Sequence, residues 1–306
     1  MKRSLLAFAV LAVPAFAQAA APFTVAGRGF ATLQEAVSSI GSGTAVILIA
    51  PGTYRQCAVQ SGGHITFKAV QPGTAIFDSV TCEDKAALVL RGQGSVVEGL
   101  VFRGYRVRDG NGAGIRSETG DLRVTDAMFL NSQEGILGGE SSGQMITIDH
   151  STFSGLGQCD EAPNCAHGIY LANQGSVTVT NSRFERGTGG HYVKVRSPRV
   201  SITDNSFDDT AGRKTNYMID LPDGATGVIA RNTFVQGKNK ENGSALIVVA
   251  AEAKTYPSTG LRVEDNDARL TPGDNKSPAF VVDFSHDRLA LGANRLGTGV
   301  KPFETR

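Results

Sequence analysis

The sequence of 306 residues has no tryptophan, almost no net charge and few long apolar runs. Its formal net charge is +1, so it carries no overall basic field, and nucleic acid is not an expected partner. The one long apolar run ends at Phe16. No later stretch approaches the roughly 20 apolar residues that a membrane span needs. We therefore expect no insertion into a membrane, and we expect a monomer.

The first 19 residues have the three parts of a secretory signal peptide. Lys2 and Arg3 are basic, residues 5–16 are apolar, and residues 17–19 read Ala-Gln-Ala. This pattern predicts a signal peptide at residues 1–19 that is cleaved after Ala19. The mature domain, residues 20–306, is then exported, to the periplasm or the outside of the cell.

What the sequence does contain is a repeat. Segments that begin at His167, His191 and Tyr217 share a short alternating run, a break at Gly, Ser or Pro, a second β-branched run and a Phe. The closing phenylalanines follow one another at intervals of about 23 to 27 residues, with no helical pattern between them. This period predicts a β-solenoid, in which each coil buries its apolar face against the next coil.

A ladder of small polar residues accompanies the repeat, two positions before each Phe or its substitute. Its members are Ser151, Ser182, Asn205, Asn232, Asn266 and Asn294. In an inward turn, each side chain can bond the backbone of the neighbouring coil, while the stacked Phe rings supply core.

With this ladder and the repeated I/V-T-x-N-x-F pattern, residues 24–297 resemble the right-handed parallel β-helix proteins of the pectin-lyase-like superfamily. The resemblance implies an all-β fold, a single-stranded right-handed parallel β-helix. The superfamily contains lyases, hydrolases, esterases, epimerases and non-enzymatic surface proteins, so the fold does not name a reaction.

The two ends of the solenoid are predicted to differ. Residues 30–40 place Leu33, Ala36, Val37 and Ile40 at helical spacing. A helix here would cap the open end of the solenoid, where strand edges are otherwise unpaired. The polar residues 298–306 are predicted to fray.

Four cysteines in an exported chain predict two disulfides, and the sequence leaves three pairings open. Cys57 and Cys82 lie about one coil apart, and Cys159 and Cys165 flank a short insert, so we favour the pairs 57–82 and 159–165. A zinc site is the alternative, but no Cys-x-x-Cys or adjacent histidine pattern supports it, and no metal site is assigned.

Strand alternation predicts one outward column of side chains across successive coils. Its members are Arg116, Leu137, Tyr170, Lys194, Asp220 and Val248. Because coils are spaced by about 4.8 Å, Tyr170, Lys194 and Asp220 should be neighbours, with Arg196 on the same strand as Lys194. The same alternation points Tyr192 and Met218 outward.

A second column precedes the first, at the start of each strand. It comprises Glu134, His167, His191 and Tyr217. Alternation nominally points these side chains inward, but alternation often fails at a turn, so they could instead line the rim of the same face.

Together these residue types suit β-elimination on a uronic-acid polymer. That reaction needs a base for the C5 proton, a cation for the carboxylate and an acid for the leaving oxygen. Lys194 or His191 could be the base, and Arg196 could hold the carboxylate through its fork. Tyr217 or His167 could be the acid.

The remaining candidates support these roles. Asp220 could orient the base, and Tyr170, Arg116 and Glu252 could contact the sugar, with Glu252 binding hydroxyl groups. The expected partner is an acidic polysaccharide, and the first hypothesis is a polysaccharide lyase. No cofactor is expected, although Asp220, Asp223 and Glu252 leave Ca²⁺ as an open alternative.

Three other interpretations remain open at this point. A glycoside hydrolase could pair Asp220 with Glu252 or Glu134, and a non-catalytic solenoid could bind carbohydrate at the cell envelope. Lys194 and Asp220 could also be an ordinary surface ion pair, beside histidines that only bond the backbone.

Overall fold

The computed structural model describes residues 21–306, so the predicted signal peptide lies outside the described residues. The described chain is a β-solenoid whose coils each contribute one strand to three sheets. Every pairing along the solenoid is parallel, apart from a hairpin at its N-terminal end. The predicted all-β fold, a parallel β-helix with an N-terminal helix, is therefore confirmed.

The first sheet has twelve strands, in spatial order Arg28–Phe30, Phe23–Val25, Thr44–Ile49, His64–Ala69, Gly94–Glu98, Asp121–Thr125, Met145–Asp149, Ser176–Thr180, Arg199–Thr203, Thr226–Ala230, Arg262–Glu264 and Ala290–Leu291. The second sheet has ten, Gly52–Tyr54, Ala75–Asp78, Leu100–Arg103, Met128–Leu130, Thr152–Ser154, Arg183–Glu185, Ser206–Asp208, Thr233–Gln236, Asp267–Leu270 and Arg295–Leu296. The third sheet also has ten, Ala58–Gln60, Ala86–Leu90, Ala113–Ser117, Glu134–Gly138, Ile169–Leu171, Val193–Val195, Ile219–Leu221, Ala245–Val249, Ala279–Asp283 and Lys301–Thr305.

The cap at the N-terminal end is a helix, Leu33–Ile40, together with a hairpin. Thr32 and Glu35 form a capping box, in which each side chain accepts a hydrogen bond from the other residue's backbone N–H. This box explains why the helix begins at Leu33, later than the predicted residue 30. The hairpin pairs antiparallel with Thr44–Ile49, so the residues before the helix cover a strand edge.

The core follows the two predicted stacks. The rings of Phe77, Phe102, Phe129, Phe153, Phe184, Phe207 and Phe234 stack with centroid separations of 4.8–5.9 Å. Beside them, the backbone N–H of Asn205 donates to the side-chain oxygen of Asn232 at 2.9 Å, and the same bond recurs from Ser151 to Asn294. The ladder therefore satisfies buried N–H groups that strand pairing leaves free.

Both favoured disulfides are present. Cys57 bonds Cys82 across two coils, and Cys159 bonds Cys165 within the insert. The prediction for the C-terminus was wrong, because Lys301–Thr305 pairs with Ala279–Asp283 as the last strand of the third sheet. The backbone of this tail is held by ladder hydrogen bonds despite its polar side chains.

Two predicted orientations are also wrong. Tyr192 and Met218 are buried in the main core cluster and do not point outward. Each is followed by a second inward residue, Val193 or Ile219, so alternation is broken at the start of these strands. This break fixes the direction of the residue before it, which belongs to the site described next.

Candidate functional site

Strand register places the predicted outward column on one wall of the third sheet. Successive partners are Arg116 with Leu137, Leu137 with Tyr170, Tyr170 with Lys194, Lys194 with Asp220, and Asp220 with Val248. The predicted column is therefore correct, residue by residue. Since neighbours are one coil apart, Lys194 lies between Tyr170 and Asp220 at strand spacing.

The column at the strand starts also faces this wall. His191 Nε2 lies 3.4 Å from a carboxylate oxygen of Asp220, and the His167 ring is 5.4 Å from the ring of Tyr170. The His167 and His191 rings stack at 5.0 Å, and Tyr217 continues the stack at 5.4 Å. The nominal inward direction is therefore wrong for these three rings. His191 and Tyr217 are each followed by two core residues, whereas a glycine, Gly168, follows His167.

Lys194 is the centre of a polar cluster on this wall. The cluster comprises Tyr170, Lys194, Arg196, Asp220, Asp223 and Glu252. Its Nζ lies 3.5 Å from Asp220 Oδ2 and 2.5 Å from Glu252 Oε1. Its side chain is 10% exposed, whereas that of Glu252 is 47% exposed. Glu252 follows the strand Ala245–Val249 and reaches back over Asp220, so its carboxylate covers the Lys194–Asp220 pair.

Arg196 is the second cation of the cluster, two residues along the same strand direction. Its guanidinium donates to the carboxylates of Asp223 and Glu252, and its Nε donates to the Tyr170 hydroxyl at 2.9 Å. The Tyr170 ring also lies within 5.6 Å of Lys194 Nζ and 5.7 Å of the Arg196 guanidinium carbon. Tyr170 thus lies beside both cations, as expected for a cation–π arrangement.

The two carboxylates on Lys194 have different environments. Burial raises the pKa of Asp220 from 3.8 to about 7, against the opposing effect of the Lys194 charge. Burial also disfavours the charged form of Glu252, but hydrogen bonds from Lys194 and Arg196 outweigh it and lower the pKa of Glu252. At neutral pH, Glu252 is therefore ionised while Asp220 can exchange a proton.

The two histidines are held in the neutral form. Burial lowers the pKa of His167 to about 3, and the nearby Lys194 charge adds to this effect. Burial, followed by His167 and Lys194, also lowers the pKa of His191. His167 Nδ1 accepts a hydrogen bond from the His191 backbone N–H at 3.0 Å, which leaves the proton on Nε2. A neutral His167 is a poor acid, which weakens the role predicted for it.

Arg116 and Glu134 lie beyond the cluster on the N-terminal side. Leu137 separates Arg116 from Tyr170 in the column. Glu134 is buried with neither carboxyl oxygen hydrogen-bonded, and burial raises its pKa well above its usual range despite the Arg116 charge. Glu134 and Asp220 are three coils apart, about 14 Å, so they cannot act as a pair on one bond.

Sequence reasoning missed two contacts at this wall. Asp223 binds Arg196, and Glu252 binds both cations with its carboxylate, where it was expected to contact sugar hydroxyls. The three carboxylates considered for Ca²⁺ thus contact cationic side chains. Tyr217 OH accepts a hydrogen bond from the Asn242 side chain at 2.7 Å, at the far edge of the His stack.

Two open clefts lie away from the cluster. One, of about 410 Å³, lies among the loops between the second and third sheets, beside Arg106, Glu161 and Lys214. The other, of about 320 Å³, lies on the outer surface of the first sheet, over Thr66 and Val96. Neither cleft is lined by Lys194, Arg196 or Glu252.

Comparison with known proteins places this architecture in a family. A family model described as a right handed beta helix region matches residues 86–268, more than half of the chain. The chain belongs to the right-handed β-helix family. Residues 86–268 of this β-helix contain the whole polar cluster. None of the curated proteins matches the sequence.

A solved structure with a similar fold is ORF18 of Geobacillus virus E2. The two chains are 16% identical and superpose with a TM-score of 0.55, over 89% of this chain and 55% of the viral chain. The chain thus spans about half the length of that protein. At this identity the similarity shows the fold alone, so the chemistry of the β-helix wall must be argued from its own residues.

The described residues were also searched for a helix that could cross a membrane. The helix Leu33–Ile40 has eight residues, and within residues 21–306 no apolar helix reaches the length needed to cross a bilayer.

Proposed function

We propose that this β-helix protein is a lyase that cleaves an acidic, uronate-containing polysaccharide by β-elimination. The observation that carries the proposal is a carboxylate held by two cations on the outer wall. Glu252 occupies the fork between Lys194 and Arg196, beside the Tyr170 ring. A uronate carboxylate has the same charge and shape as this group, and a sugar ring packs well on an aromatic face.

Lys194 is assigned as the base that removes the C5 proton. A lysine must lose its own proton before it can act, and the acceptor must lie within reach. Asp220 is 3.5 Å away with its pKa raised to about 7, so it can hold that proton at neutral pH. Arg196 neutralises the substrate carboxylate as negative charge develops on it after C5 deprotonation.

The Tyr170 hydroxyl is assigned as the acid. It accepts a hydrogen bond from Arg196 Nε, which leaves its own proton free for the leaving oxygen. When the C4–O bond breaks, this proton passes to the departing sugar, and a C4–C5 double bond forms on the remaining one. The neutral His191 stays against Asp220 and positions that carboxyl.

The proposal is tested by incubating the protein with a panel of uronate polymers. Elimination produces an unsaturated uronate, which absorbs in the ultraviolet, so absorbance should rise with at least one polymer. If no polymer gives a rise but the protein is retained on a polymer column, the protein is a carbohydrate-binding solenoid and the lyase assignment is wrong.

A glycoside hydrolase is the second candidate, and one observation favours it. Asp220 and Glu252 both contact Lys194 Nζ, so their nearest oxygens lie within about 6 Å, close to the spacing in retaining glycosidases. Their environments also shift their pKa values in opposite directions, as an acid and a nucleophile require. New reducing ends without ultraviolet absorbance would support this candidate over the lyase.

We also infer that the protein is exported, to the periplasm or the outside of the cell. Two disulfides are compatible with an oxidising compartment, and the predicted signal peptide would direct the chain there. N-terminal sequencing of the protein from its natural host should give a chain that begins at Ala20. An intact Met1 on the recovered protein would contradict export by this route.

A further inference from the structure

The side chain of Glu252 is the most exposed charged group of the polar cluster. Its backbone N–H and that of Ala253 donate to the carbonyl of Pro222 at 3.0 and 2.9 Å, so the main chain is fixed to the neighbouring coil. The side chain is half-exposed, whereas Lys194 beneath it is nearly buried. A rotation about the side-chain bonds of Glu252 would therefore uncover Lys194 without moving the backbone.

The cluster also has three carboxylates, Asp220, Asp223 and Glu252, around two cations. Lys194 retains Asp220 as a partner and Arg196 retains Asp223 when the Glu252 side chain is removed. Both cations nevertheless bind Glu252 as well. Glu252 is thus the more exposed of the two carboxylates that contact each cation.

We propose that Glu252 is an internal ligand that occupies a carboxylate-binding subsite formed by Lys194, Arg196 and Tyr170, and that an external carboxylate must displace it to bind. The proposal deepens the function proposed above and rests on it only for the identity of the ligand as a uronate. The subsite selects anionic over neutral sugars. When Glu252 leaves, the two partly desolvated cations lose a negatively charged partner, which a neutral sugar cannot replace.

The subsite can be tested with acetate, which carries the carboxylate without the sugar. In Glu252→Ala the fork is vacant, so about 0.2 M acetate should raise the melting temperature by about 2 °C over equal chloride, through ligand binding to the folded state. In the unmodified protein acetate should add nothing to the chloride effect. A second substitution, Arg196→Gln, should abolish the acetate response.

Glu83→Ala is the matched control variant. Glu83 also bridges a lysine and an arginine, Lys85 and Arg91, and its side chain is 39% exposed. The cations there are far more solvated than Lys194, so acetate should not stabilise this variant measurably. An equal acetate response in Glu83→Ala and Glu252→Ala would show that no built subsite exists and would overturn the proposal.

Binding of uronate trimers gives a second readout that does not depend on turnover. Glu252→Gln keeps the shape of the side chain but removes its charge, so calorimetry should give a dissociation constant at least about threefold lower, with maltotriose unaffected. A weaker affinity in Glu252→Gln would mean that Glu252 contacts the sugar directly, and would overturn the proposal. An acetate response without elimination of any polymer would leave the subsite valid and refute only the lyase.

Discussion

Two buried lysine–aspartate pairs in this solenoid resemble each other in distance but differ in how fully they are hydrogen-bonded. Lys240 and Asp209 are 3.1 Å apart with side chains 1% and 0% exposed, and Lys194 and Asp220 are 3.5 Å apart and nearly as buried. Asp209 also accepts hydrogen bonds from Tyr192, Thr215 and the Gly237 N–H. Among residues 21–306, the lysine, arginine or histidine nitrogens within 4 Å of Asp220 are those of Lys194 and His191.

We interpret Lys240 and Asp209 as a structural ion pair, and Lys194 and Asp220 as part of the proposed active site. At Asp209, both carboxylate oxygens accept hydrogen bonds, and these offset the cost of burying the group. A buried carboxyl with few donors keeps the cost of desolvation, and for this reason the pKa of Asp220 rises to about 7. We therefore expect substitutions at the first pair to affect folding and substitutions at the second to affect turnover.

The largest expected effect is the loss of turnover in Lys194→Ala. Removing the base should lower the rate of elimination by about a thousandfold, with the variant still folded at the assay temperature, because Lys194 lies outside the main apolar core. The rate of ultraviolet absorbance on a uronate polymer measures the effect. Full activity in Lys194→Ala would refute the assignment. Val193→Ala removes a core side chain, so a loss of activity through unfolding in that variant would not support a role for Lys194.

The next effect is a loss of stability at the satisfied pair. Asp209→Asn leaves the buried Lys240 charge uncompensated and should lower the free energy of unfolding by about 3 kcal/mol. Asp220→Asn should not lower it at neutral pH, because the uncharged amide avoids the cost of ionising a buried carboxyl. Urea unfolding of both variants measures the difference, and equal losses would remove the distinction between the two pairs.

The pH dependence of stability should reveal Asp220. Its pKa is raised in the folded state from 3.8 to about 7, so the folded chain binds a proton that the unfolded chain releases. This contribution to stability is present below pH 3.8 and is lost as the pH rises through about 7. Relative to the parent protein, Asp220→Asn should therefore gain stability progressively from pH 4 to pH 7.

The histidines act in the opposite direction and provide the internal control. Because the pKa of His167 is lowered to about 3, stability should rise with pH from about 3 to 6.5 in both proteins. That change cancels when the two urea-unfolding curves are subtracted. A difference that is flat between pH 4 and pH 7 would show that Asp220 has an ordinary pKa.

The smallest effect is expected at an exposed lysine–aspartate pair, Lys214 with Asp160. These side chains are 58% and 70% exposed, so their interaction is screened by water. Lys214→Ala should shift the melting temperature by less than about 1 °C and leave turnover unchanged. A larger loss would mean that burial does not account for the ranking of the three pairs.

The sequence predicts the scaffold and the outward column because both depend on periodicity alone. The inward aliphatic residues Ile169, Val193 and Ile219 set the register, and that register brings Lys194 beside Asp220. The favoured pairing of Cys57 with Cys82 rests on the same coil spacing, whereas that of Cys159 with Cys165 rests on the short insert between them.

The contacts of the cluster depend on features that periodicity does not carry. The two consecutive inward residues at Tyr192 and Val193 break alternation, and this break turns His191 toward Asp220. Glu252 lies in the segment after the strand Ala245–Val249, where no repeat constrains the backbone. Its path over Lys194 depends on hydrogen bonds to Pro222 and could not be derived from spacing.

The Phe stack has a consequence for how such a chain can diversify. Between Ser151 and Ser182 the coil has 31 residues, and between Ser182 and Asn205 it has 23, yet Phe153, Phe184 and Phe207 stack at the same 4.8 Å. The extra residues, which carry the Cys159–Cys165 disulfide, lie at the corner between the second and third sheets. Residues can therefore be added or removed at that corner without disturbing the registers below it. New recognition loops can be grafted there onto an unchanged outer face of the third sheet.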